Sequence, residues 1–436
     1  MAKSLSKNYR IFMKITTRRI TALDLGSKYI KMAVADIKEN TYIPHIISHI
    51  KIPSQGIKNG MIINIEDATS AIIEAKQYLE KETGSNITSC FVGLSGEHIM
   101  GINTTGRLSI SKQHKYGLGE PCQITQNDVD RVLEHTKGYE LSSERDILNI
   151  FSVDYIVDGR GGIKNPVGII GRRLQVNAHL TTYETTAVAN ITTCLERAGI
   201  QNCKYILQSL ASAESTLDSD EKKHGVILLD IGSDITDIIV YYDNKTYYTG
   251  ILNMAGYHVS WDISALTGIT TNQAEQIKLT GGVATEEMLQ GPEIFMIEGV
   301  SGRLQVEIQN YELTQYIKAR LTEILNESKK QIQTSNLQNL ELLVCLCGGT
   351  AKFNGFDNLA NKLFSYSPKT PNITKIGIPT GFTADNMKQL SSPEYSALIG
   401  LLQFGSKQKK DKLGMRKIVK ESFNLWDKLK QLLNKN

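Results

Sequence analysis

Ala22-Leu23-Asp24-Leu25-Gly26-Ser27-Lys28 is one of two short segments that decide the fold, and the other is Leu228-Leu229-Asp230-Ile231-Gly232-Ser233-Asp234-Ile235-Thr236-Asp237. Each is an apolar run that reaches Asp, then Gly, then a small hydroxyl residue, and then returns to apolar alternation. This pattern predicts a strand, a tight turn and a second antiparallel strand. Because one copy opens each half of the chain, the pair predicts two related lobes that face a shared cleft. Two unrelated hairpins are the alternative interpretation.

The two turns are suited to binding phosphate. Backbone N–H groups of a tight turn can cradle phosphate oxygens, and an Asp beside the turn can hold Mg²⁺ through water. The sequence therefore predicts a metal site at Asp24 and Asp230. The residues expected to contact a bound cofactor here are Asp24, Gly26, Ser27, Lys28, Asp230, Gly232, Ser233 and Thr236.

Composition narrows the class of protein. The chain has 436 residues, 41% hydrophobic and 22% charged, so we expect a globular protein with two or three domains. It has no uncharged apolar run long enough for a transmembrane helix, and residues 1–19 form a basic tail without the apolar core of a secretory signal. A net charge of +4 is too mild to indicate nucleic-acid binding. The six cysteines form no CxxC pair, which predicts buried free thiols in a reducing cytoplasm.

The chain between the two turns changes character. Residues 89–171 combine short strands with one helix, whose start at Thr125 with Asp128 three residues later predicts an approximate capping box. Periodicity predicts further helices from Ile65 to Lys81 and from Tyr183 to Gly199. We expect a basic tail (1–19), lobe 1 (20–88 and 172–208), an inserted subdomain (89–171), lobe 2 (209–380, with an outer subdomain at 251–328), a closing-helix region of lobe 1 (381–404), a polar linker (405–414) and a terminal helix (415–436).

The terminal segment is amphipathic. On a helical wheel its apolar residues cover about half the circumference, and lysines occupy much of the other half. A basic amphipathic helix behind a polar linker is typical of segments that lie flat on an anionic bilayer. A helix that docks on its own core or on a partner is the alternative. The residues predicted to enter the membrane are Ile418, Phe423, Trp426, Leu429 and Leu433.

Two further patterns in the second half could serve a nucleotide. Gly348-Gly349-Thr350 follows an apolar strand, and two glycines let the backbone approach a ring or a phosphate closely. Glu275 and Lys278 lie three residues apart on one helix face, where they could clamp a ribose and an adenine edge. Taken alone, the second pattern is also that of a solvated ion pair.

In this order, the parts resemble the actin-like ATPase superfamily, with a closing helix at Tyr395 to Leu402. Several strings narrow the resemblance to the FtsA family of bacterial cell-division proteins, including Gly93-Leu94-Ser95-Gly96-Glu97-His98-Ile99, Gly162-Ile163-Lys164-Asn165-Pro166-Val167-Gly168, Leu210-Ala211-Ser212 and Tyr395-Ser396-Ala397-Leu398-Ile399-Gly400-Leu401-Leu402. The resemblance runs from about residue 20 to the end. It implies an α/β, actin-like (ribonuclease H-like) two-lobed ATPase fold, with an FtsA-type inserted subdomain placed differently from the equivalent subdomain of actin.

The resemblance also implies a function. ATP with Mg²⁺ would lie between the lobes, and protomers would join into short filaments. The terminal helix would fix them to the cytoplasmic face of the cell membrane, through anionic lipids, at the division site. Lobe 2 would bind the C-terminal tail of the tubulin-like protein FtsZ through Arg320 and Glu323, with Arg303 as a looser candidate and other division proteins as further partners. Exposed helix charges without a partner are the alternative for Arg320 and Glu323.

Two features of the sequence depart from what is expected of an active ATPase of this superfamily. Ser233, Asp234 and Ile235 stand where the superfamily's second turn has Gly, Gly and Thr. At about 4 Å the carboxylate of Asp234 and a phosphate would repel by about 4 kcal/mol. A side chain of Asp234 that faces Mg²⁺ or points to solvent is the alternative. Gln208 occupies the position that orients the attacking water, and a Gln predicts slow hydrolysis at most. The rival classes are an actin-fold chaperone, a sugar kinase, or another actin-like scaffold such as a pilus-assembly protein or MreB.

Overall fold

A computed structural model describes residues 17–38, 41–110, 120–138, 141–298, 305–333, 341–365 and 373–407. Within these ranges, lobe 1 is built on a six-stranded sheet. Its strands lie in the order Asn202–Leu207, Ser89–Leu94, Thr17–Leu25, Tyr29–Lys38, Pro44–Pro53 and Thr383–Ala384. Two layers of helices enclose the sheet, with Ile65–Thr83 and Thr185–Arg197 on one face and Gln208–Thr216 and Ser396–Lys407 on the other.

Lobe 2 repeats this strand order. Its five described strands lie in the order Lys245–Leu252, Thr236–Tyr242, Val226–Ile231, Leu343–Cys347 and Thr374–Ile376. In both lobes three consecutive strands form an antiparallel meander, and a later strand runs parallel to the first strand of that meander. The two quoted segments are therefore the central hairpins of related sheets, and the alternative of unrelated hairpins is wrong.

Burial explains why the second segment reads as a continuous apolar run. Every residue of Val226–Ile231 is buried, because helices cover both faces of the lobe 2 sheet. Helices Asn310–Gln333 and Phe356–Phe364 pack on one face, and Gln208–Thr216 packs on the other. Ser219–His224 is a short helix that leads into the sheet.

The inserted subdomain has a sheet of its own. Its strands lie in the order Arg160–Ile163, Arg145–Val157, Arg173–Glu184 and Ile99–Ser109, and helix Gln126–Thr136 packs on this sheet. The capping box predicted at Thr125 and Asp128 is present. Strand Ser89–Leu94 pairs within lobe 1, whereas Arg173–Glu184 pairs within the insertion. The sheet of the insertion therefore spans 99–184, which differs from the expected 89–171 because strand pairing, not composition, sets the boundary.

The inserted subdomain also contacts lobe 2. Its His179 is buried against the edge strand Lys245–Leu252, with Nδ1 2.7 Å from Oδ1 of Asn103 and Nε2 accepting from the backbone N–H of Thr249 at 3.0 Å. Gly101 lies so close to this strand that a Cβ there would be 2.2 Å from the carbonyl oxygen of Thr249. The inserted subdomain thus packs against the edge strand of lobe 2.

The outer subdomain of lobe 2 holds two consecutive helices. Gly256–Thr267 ends at Gly268 with a φ of 73°, and Thr271–Gly281 begins after a capping box between Thr270 and Gln273. A left-handed residue ends a helix. The hairpin Ile294–Ile297 with Val306–Gln309 and the 3₁₀ turn Glu286–Met288 complete the described part of this subdomain.

The closing helix is longer than expected. It runs over Ser396–Lys407, so residues 405–407 belong to this helix and not to the predicted linker. The end of the helix can pack closely on the lobe 1 sheet because residue 405 is glycine, since a Cβ there would lie 2.8 Å from the ring of Phe91. The remaining short elements are Ile57–Lys58, Met61–Ile62, Cys122–Gln123, Ile170–Gly171, Gly349–Lys352, Met387–Leu390 and Pro393–Tyr395.

Two sequence predictions concern bulk properties. All six cysteines lie in the described ranges and are free, as predicted, and four of them are buried. In those ranges, no helix has both the length and the apolar character needed to cross a membrane.

Candidate functional site

A cavity of about 480 Å³ lies between the lobes and brings the predicted turns together. Lobe 1 contributes the first turn through Gly26, Ser27 and Lys28, and lobe 2 contributes the second through Gly232 and Ser233. The other predicted residues that line it are Asp24, Gln208, Asp230, Glu275, Lys278, Gly348, Gly349 and Thr350. Thr236 does not line it, because its hydroxyl is buried and donates to the carbonyl oxygen of Met254.

The two aspartates lie in different electrostatic surroundings. Asp24 is 1% exposed and its Oδ2 accepts from Nζ of Lys31 at 2.6 Å, while its Oδ1 has no partner in the described structure. Asp230 accepts from the hydroxyl of Ser212. Burial raises the pKa of Asp230 to about 6, helped by the nearby Asp24. Asp24 therefore has a carboxylate oxygen without a donor, and Asp230 has a raised pKa. Both features are expected where a cation binds.

Asp234 turns away from the cavity. Its Oδ1 accepts from the hydroxyl of Ser233 at 2.9 Å, and its Oδ2 accepts from the backbone N–H of Asn59 in lobe 1 at 3.2 Å. It is not among the residues that line the cavity. The repulsion expected from this position is thereby reduced, because two donors hold the carboxylate outside the site.

Glu275 and Lys278 form more than a solvated ion pair. Lys278 is buried, and its Nζ lies 2.6 Å from Oε2 of Glu275 and donates to the carbonyl oxygen of Gly256 at 2.8 Å. Glu275 also accepts from Ser260 and, across the cleft, from Lys28. Although burial opposes ionisation, these donors lower the pKa of Glu275 to about 2. The interpretation of a solvated pair is wrong, because both side chains line the cavity wall.

The Gly-Gly loop fits closely against the second turn. Gly348 has a φ of 84°, and a Cβ there would lie 2.5 Å from Oδ1 of Asp230. A Cβ at Gly349 would meet nothing within 4 Å, so this residue leaves open space. The hydroxyl of Thr350 donates to the carbonyl oxygen of Gly232 at 2.7 Å. Only glycine satisfies both the dihedral angle and the approach at position 348.

A second hollow, of about 590 Å³, adjoins the cavity. The two share Lys51, Lys352 and Glu394, and the second hollow is also lined by His49, Tyr78 and Tyr395. Neither turn and neither buried aspartate lines it. We therefore take the cavity between the two turns as the candidate site, since the groups predicted to bind phosphate and metal converge there.

The predicted partner-binding residues lie elsewhere. Arg320 donates to both carboxylate oxygens of Asp262 at 2.5 and 2.7 Å and pairs with Glu323 at 2.8 Å. Its charge is thus paired within the protein with two carboxylates. Arg303 and the five membrane residues of the terminal segment lie outside the described residues.

Comparison with known proteins identifies the family. The sequence model for "Cell division protein FtsA" matches residues 227–400, and the model for "SHS2 domain inserted in FTSA" matches residues 96–182. The cell division protein FtsA of Borreliella burgdorferi is 32% identical over 90% of this chain and 92% of its own length. The chain belongs to the FtsA family. FtsA of Neisseria meningitidis is 30% identical over 91% of this chain and 92% of its own length.

Solved structures agree with the actin-like fold. A chain of the PilM–PilN type IV pilus biogenesis complex superposes with a TM-score of 0.63 at 15% identity, covering 89% of this chain and 98% of its own. MreB5 of Spiroplasma citri bound to ADP superposes with a TM-score of 0.53 at 12% identity, covering 90% and 99%. The FtsA-type insertion matched at residues 96–182 coincides with the separate sheet at 99–184.

Lys31 is a site residue that the motifs missed. It lines the cavity and is the cation paired with Asp24. The hairpin register carries a signal for it, because Lys31 is the cross-strand partner of Asp24. Directly opposed residues of opposite charge interact across an antiparallel pair. The register of the predicted hairpin would therefore have identified Lys31 as the residue opposite Asp24.

Proposed function

We propose that this FtsA-family protein binds ATP with Mg²⁺ between its lobes and tethers the FtsZ ring to the membrane as short filaments. The observation that carries the nucleotide site is the convergence of both turns and both buried aspartates on one cavity. The MreB5 neighbour was solved with ADP, and a second structure of it with AMPPNP. Backbone N–H groups and glycines of the turns provide the phosphate cradle.

The residues present fit such a ligand. Five lysines line the cavity, and each is paired with one of the four carboxylates there, which leaves one positive charge in excess for an anion: Lys28, Lys31, Lys51, Lys278 and Lys352. Asp24 has a buried oxygen without a partner, and Mg²⁺ bound to phosphates commonly takes one or two carboxylates directly or through water. A Cβ at Gly349 would meet nothing within 4 Å, and we place the base against this glycine. Asp24 and Asp230 would hold the metal, and Glu275 with Lys278 would position the ribose and base.

An ATP titration in the presence of Mg²⁺ tests the site directly. We expect Asp24→Ala to weaken binding of Mg-ATP by tenfold or more without unfolding the protein. Asp385→Ala, at an exposed position, is the matched control and should bind as the unchanged protein does. An unaltered titration for Asp24→Ala would remove this residue from the site, and no binding by the unchanged protein would refute the nucleotide proposal.

Hydrolysis is proposed to be slow, so that ATP acts mainly as a ligand that closes the cleft. Gln208 begins the linking helix Gln208–Thr216 and lines the cavity. An amide can orient a water molecule but is a poor base. We expect Gln208→Ala to abolish the residual phosphate release while ATP still binds. Equal release by both proteins would exclude Gln208 from hydrolysis.

The membrane tether is proposed for residues 415–436. Sedimentation with anionic vesicles tests it: the full chain should bind, and a chain ending at Lys407, the last residue of the closing helix, should not. Trp426→Glu, which adds a charge to the apolar face, should release the protein. Asn424→Glu adds the same charge to the polar face and should have little effect. Binding by the shortened chain would refute the tether.

The FtsZ tail is proposed to bind lobe 2 beside Arg320. Asp262 and Glu323 both pair with Arg320, and Glu323 is the most exposed of the three side chains, so Glu323 is the group best placed to contact the tail. A fluorescent FtsZ tail peptide should bind Glu323→Ala more weakly than the unchanged protein. Filaments on lipid monolayers, viewed by electron microscopy with and without ATP, test self-association.

A further inference from the structure

A short hairpin at the mouth of the cleft touches both turns. Strands Ile57–Lys58 and Met61–Ile62 pair around Asn59 and Gly60, whose φ values are 50° and 73°. Two consecutive left-handed residues with the sequence Asn-Gly are typical of a type I′ turn. A Cβ at Gly60 would lie 2.2 Å from the carbonyl oxygen of Ser95, so the hairpin is pressed against the lobe 1 core. Its position is therefore fixed relative to lobe 1.

The two central amides of this hairpin point to different lobes. The N–H of Gly60 donates to the hydroxyl of Ser27, in the first turn, at 3.3 Å. The N–H of Asn59 donates to Oδ2 of Asp234, in the second turn, at 3.2 Å. Adjacent backbone groups thus connect the turn of lobe 1 with the turn of lobe 2.

Asp234 is the residue that makes the second connection possible. It stands where the superfamily pattern has glycine, which has no side chain to reach Asn59. The hydroxyl of Ser233, also a departure from glycine, donates to the other oxygen of Asp234 and orients it. The two unusual residues of the second turn therefore act as one unit directed at lobe 1.

A second connection crosses the cleft nearby. Lys28, one residue after Ser27, pairs with Glu275 on lobe 2. Glu275 is held in place by Ser260 and Lys278, so its position does not depend on Lys28. Both connections join the first turn, or the hairpin bonded to it, to lobe 2. Moving the lobes apart would break both.

We propose that Asp234 is a positioning residue which, together with the ion pair between Lys28 and Glu275, clasps lobe 2 to the first turn and so controls how fast nucleotide leaves the cleft. This inference rests on the proposed nucleotide site. The clasp holds the phosphate turns at their mutual distance, and release requires the contacts to Asn59 and Lys28 to open. Asp234 acts through lobe position and does not itself touch phosphate, since it lies outside the cavity lining.

Hydrogen exchange tests the clasp without nucleotide. In Asp234→Gly the amide of Asn59 loses its acceptor, so its exchange should become roughly tenfold faster, as expected for the loss of a hydrogen bond to a charged group. The amide of Gly60, bonded to Ser27, should exchange as before and serves as the internal control. Asp234→Asn keeps an acceptor oxygen and should retain most of the protection. Unchanged exchange at Asn59 in Asp234→Gly would overturn the clasp.

The role of the clasp in nucleotide release is tested by measuring how fast a fluorescent ATP analogue dissociates when it is chased with excess ATP. Asp234→Gly should release the analogue roughly tenfold faster, and Asp234→Asn should stay close to the unchanged protein. If Asp234 acted by repelling phosphate, both variants would release more slowly, which would overturn the proposal. If the unchanged protein bound no analogue, the proposed nucleotide site would fail, while the exchange of Asn59 would still decide whether the hairpin contact exists.

Discussion

At the scale of single residues, the buried carboxylate of Asp230 lowers the stability of the protein at neutral pH. Burial raises its pKa to about 6 from an ordinary value of 3.8. Between these values the folded protein keeps a proton that the unfolded chain releases, so stability is lost as pH rises through this window and stays lower above it. The cost at neutral pH approaches roughly 3 kcal/mol, at about 1.4 kcal/mol per pKa unit.

We therefore expect Asp230→Asn to be more stable than the unchanged protein at pH 7.5. Asparagine carries no charge to desolvate and can still accept from the hydroxyl of Ser212. Thermal unfolding at pH 4 to 8 measures this, and the gain in Tm should shrink toward pH 4. Mg-ATP binding should weaken in the same variant. A lower Tm of Asp230→Asn at pH 7.5 would contradict the conclusion that the ionised carboxylate of Asp230 destabilises the folded protein.

At the scale of elements, the linking helix Gln208–Thr216 and the closing helix Ser396–Lys407 cross in direct backbone contact. A Cβ at Gly400 would lie 1.7 Å from the carbonyl oxygen of Ala211. No side chain fits between the helices here, so the crossing requires glycine. The linking helix also packs against the lobe 2 sheet, so this crossing connects the cores of the two lobes.

Gly400→Ala should destabilise the protein by roughly 1–3 kcal/mol, because the added methyl forces the helices apart. The loss should appear although alanine has the higher helix propensity by about 1 kcal/mol. Urea unfolding measures the free energy. Ala265→Ser, which adds one atom at an exposed helix position, is the control and should change little. Equal stability of Gly400→Ala and the unchanged protein would show that the crossing relaxes freely.

At the scale of the whole molecule, His179 joins the inserted subdomain to lobe 2 as a neutral ring. Burial lowers its pKa to about 4. The unfolded chain takes up a proton near pH 6.5 while the folded protein does not, so stability is complete above pH 6.5 and is lost as pH falls toward 4. The loss approaches roughly 3 kcal/mol. Protonation would also replace the acceptor that faces the N–H of Thr249.

His179→Gln should flatten the decline in unfolding free energy between pH 6.5 and 4, even if it lowers stability at pH 7. His224→Gln, at an exposed helix end, is the matched control and should keep the decline. Urea titrations at several pH values give the slope for each protein. The same slope in His179→Gln and the unchanged protein would contradict a buried neutral histidine at this interface.

Much of the architecture could be predicted from local patterns. Both hairpins, strand Ser89–Leu94, the capping box at Thr125 and the helix over Ile65–Thr83 are set by residues within a few positions of one another. Such patterns report the period of a strand or helix and the chemistry of its ends. Boundaries were less predictable, since strand Arg173–Glu184 pairs with the insertion and not with lobe 1.

By itself, then, the sequence determined two related lobes with a glycine-containing tight turn at each centre, because hydrophobic period and turn chemistry act over short stretches of chain. Only the tertiary structure decided where the unusual charges point. Asp234 meets Asn59 across 175 residues of sequence and Lys28 meets Glu275 across 247, while Arg320 is neutralised by Asp262. The energy of a carboxylate depends on which donors folding brings to it, and no local pattern specifies a partner that distant.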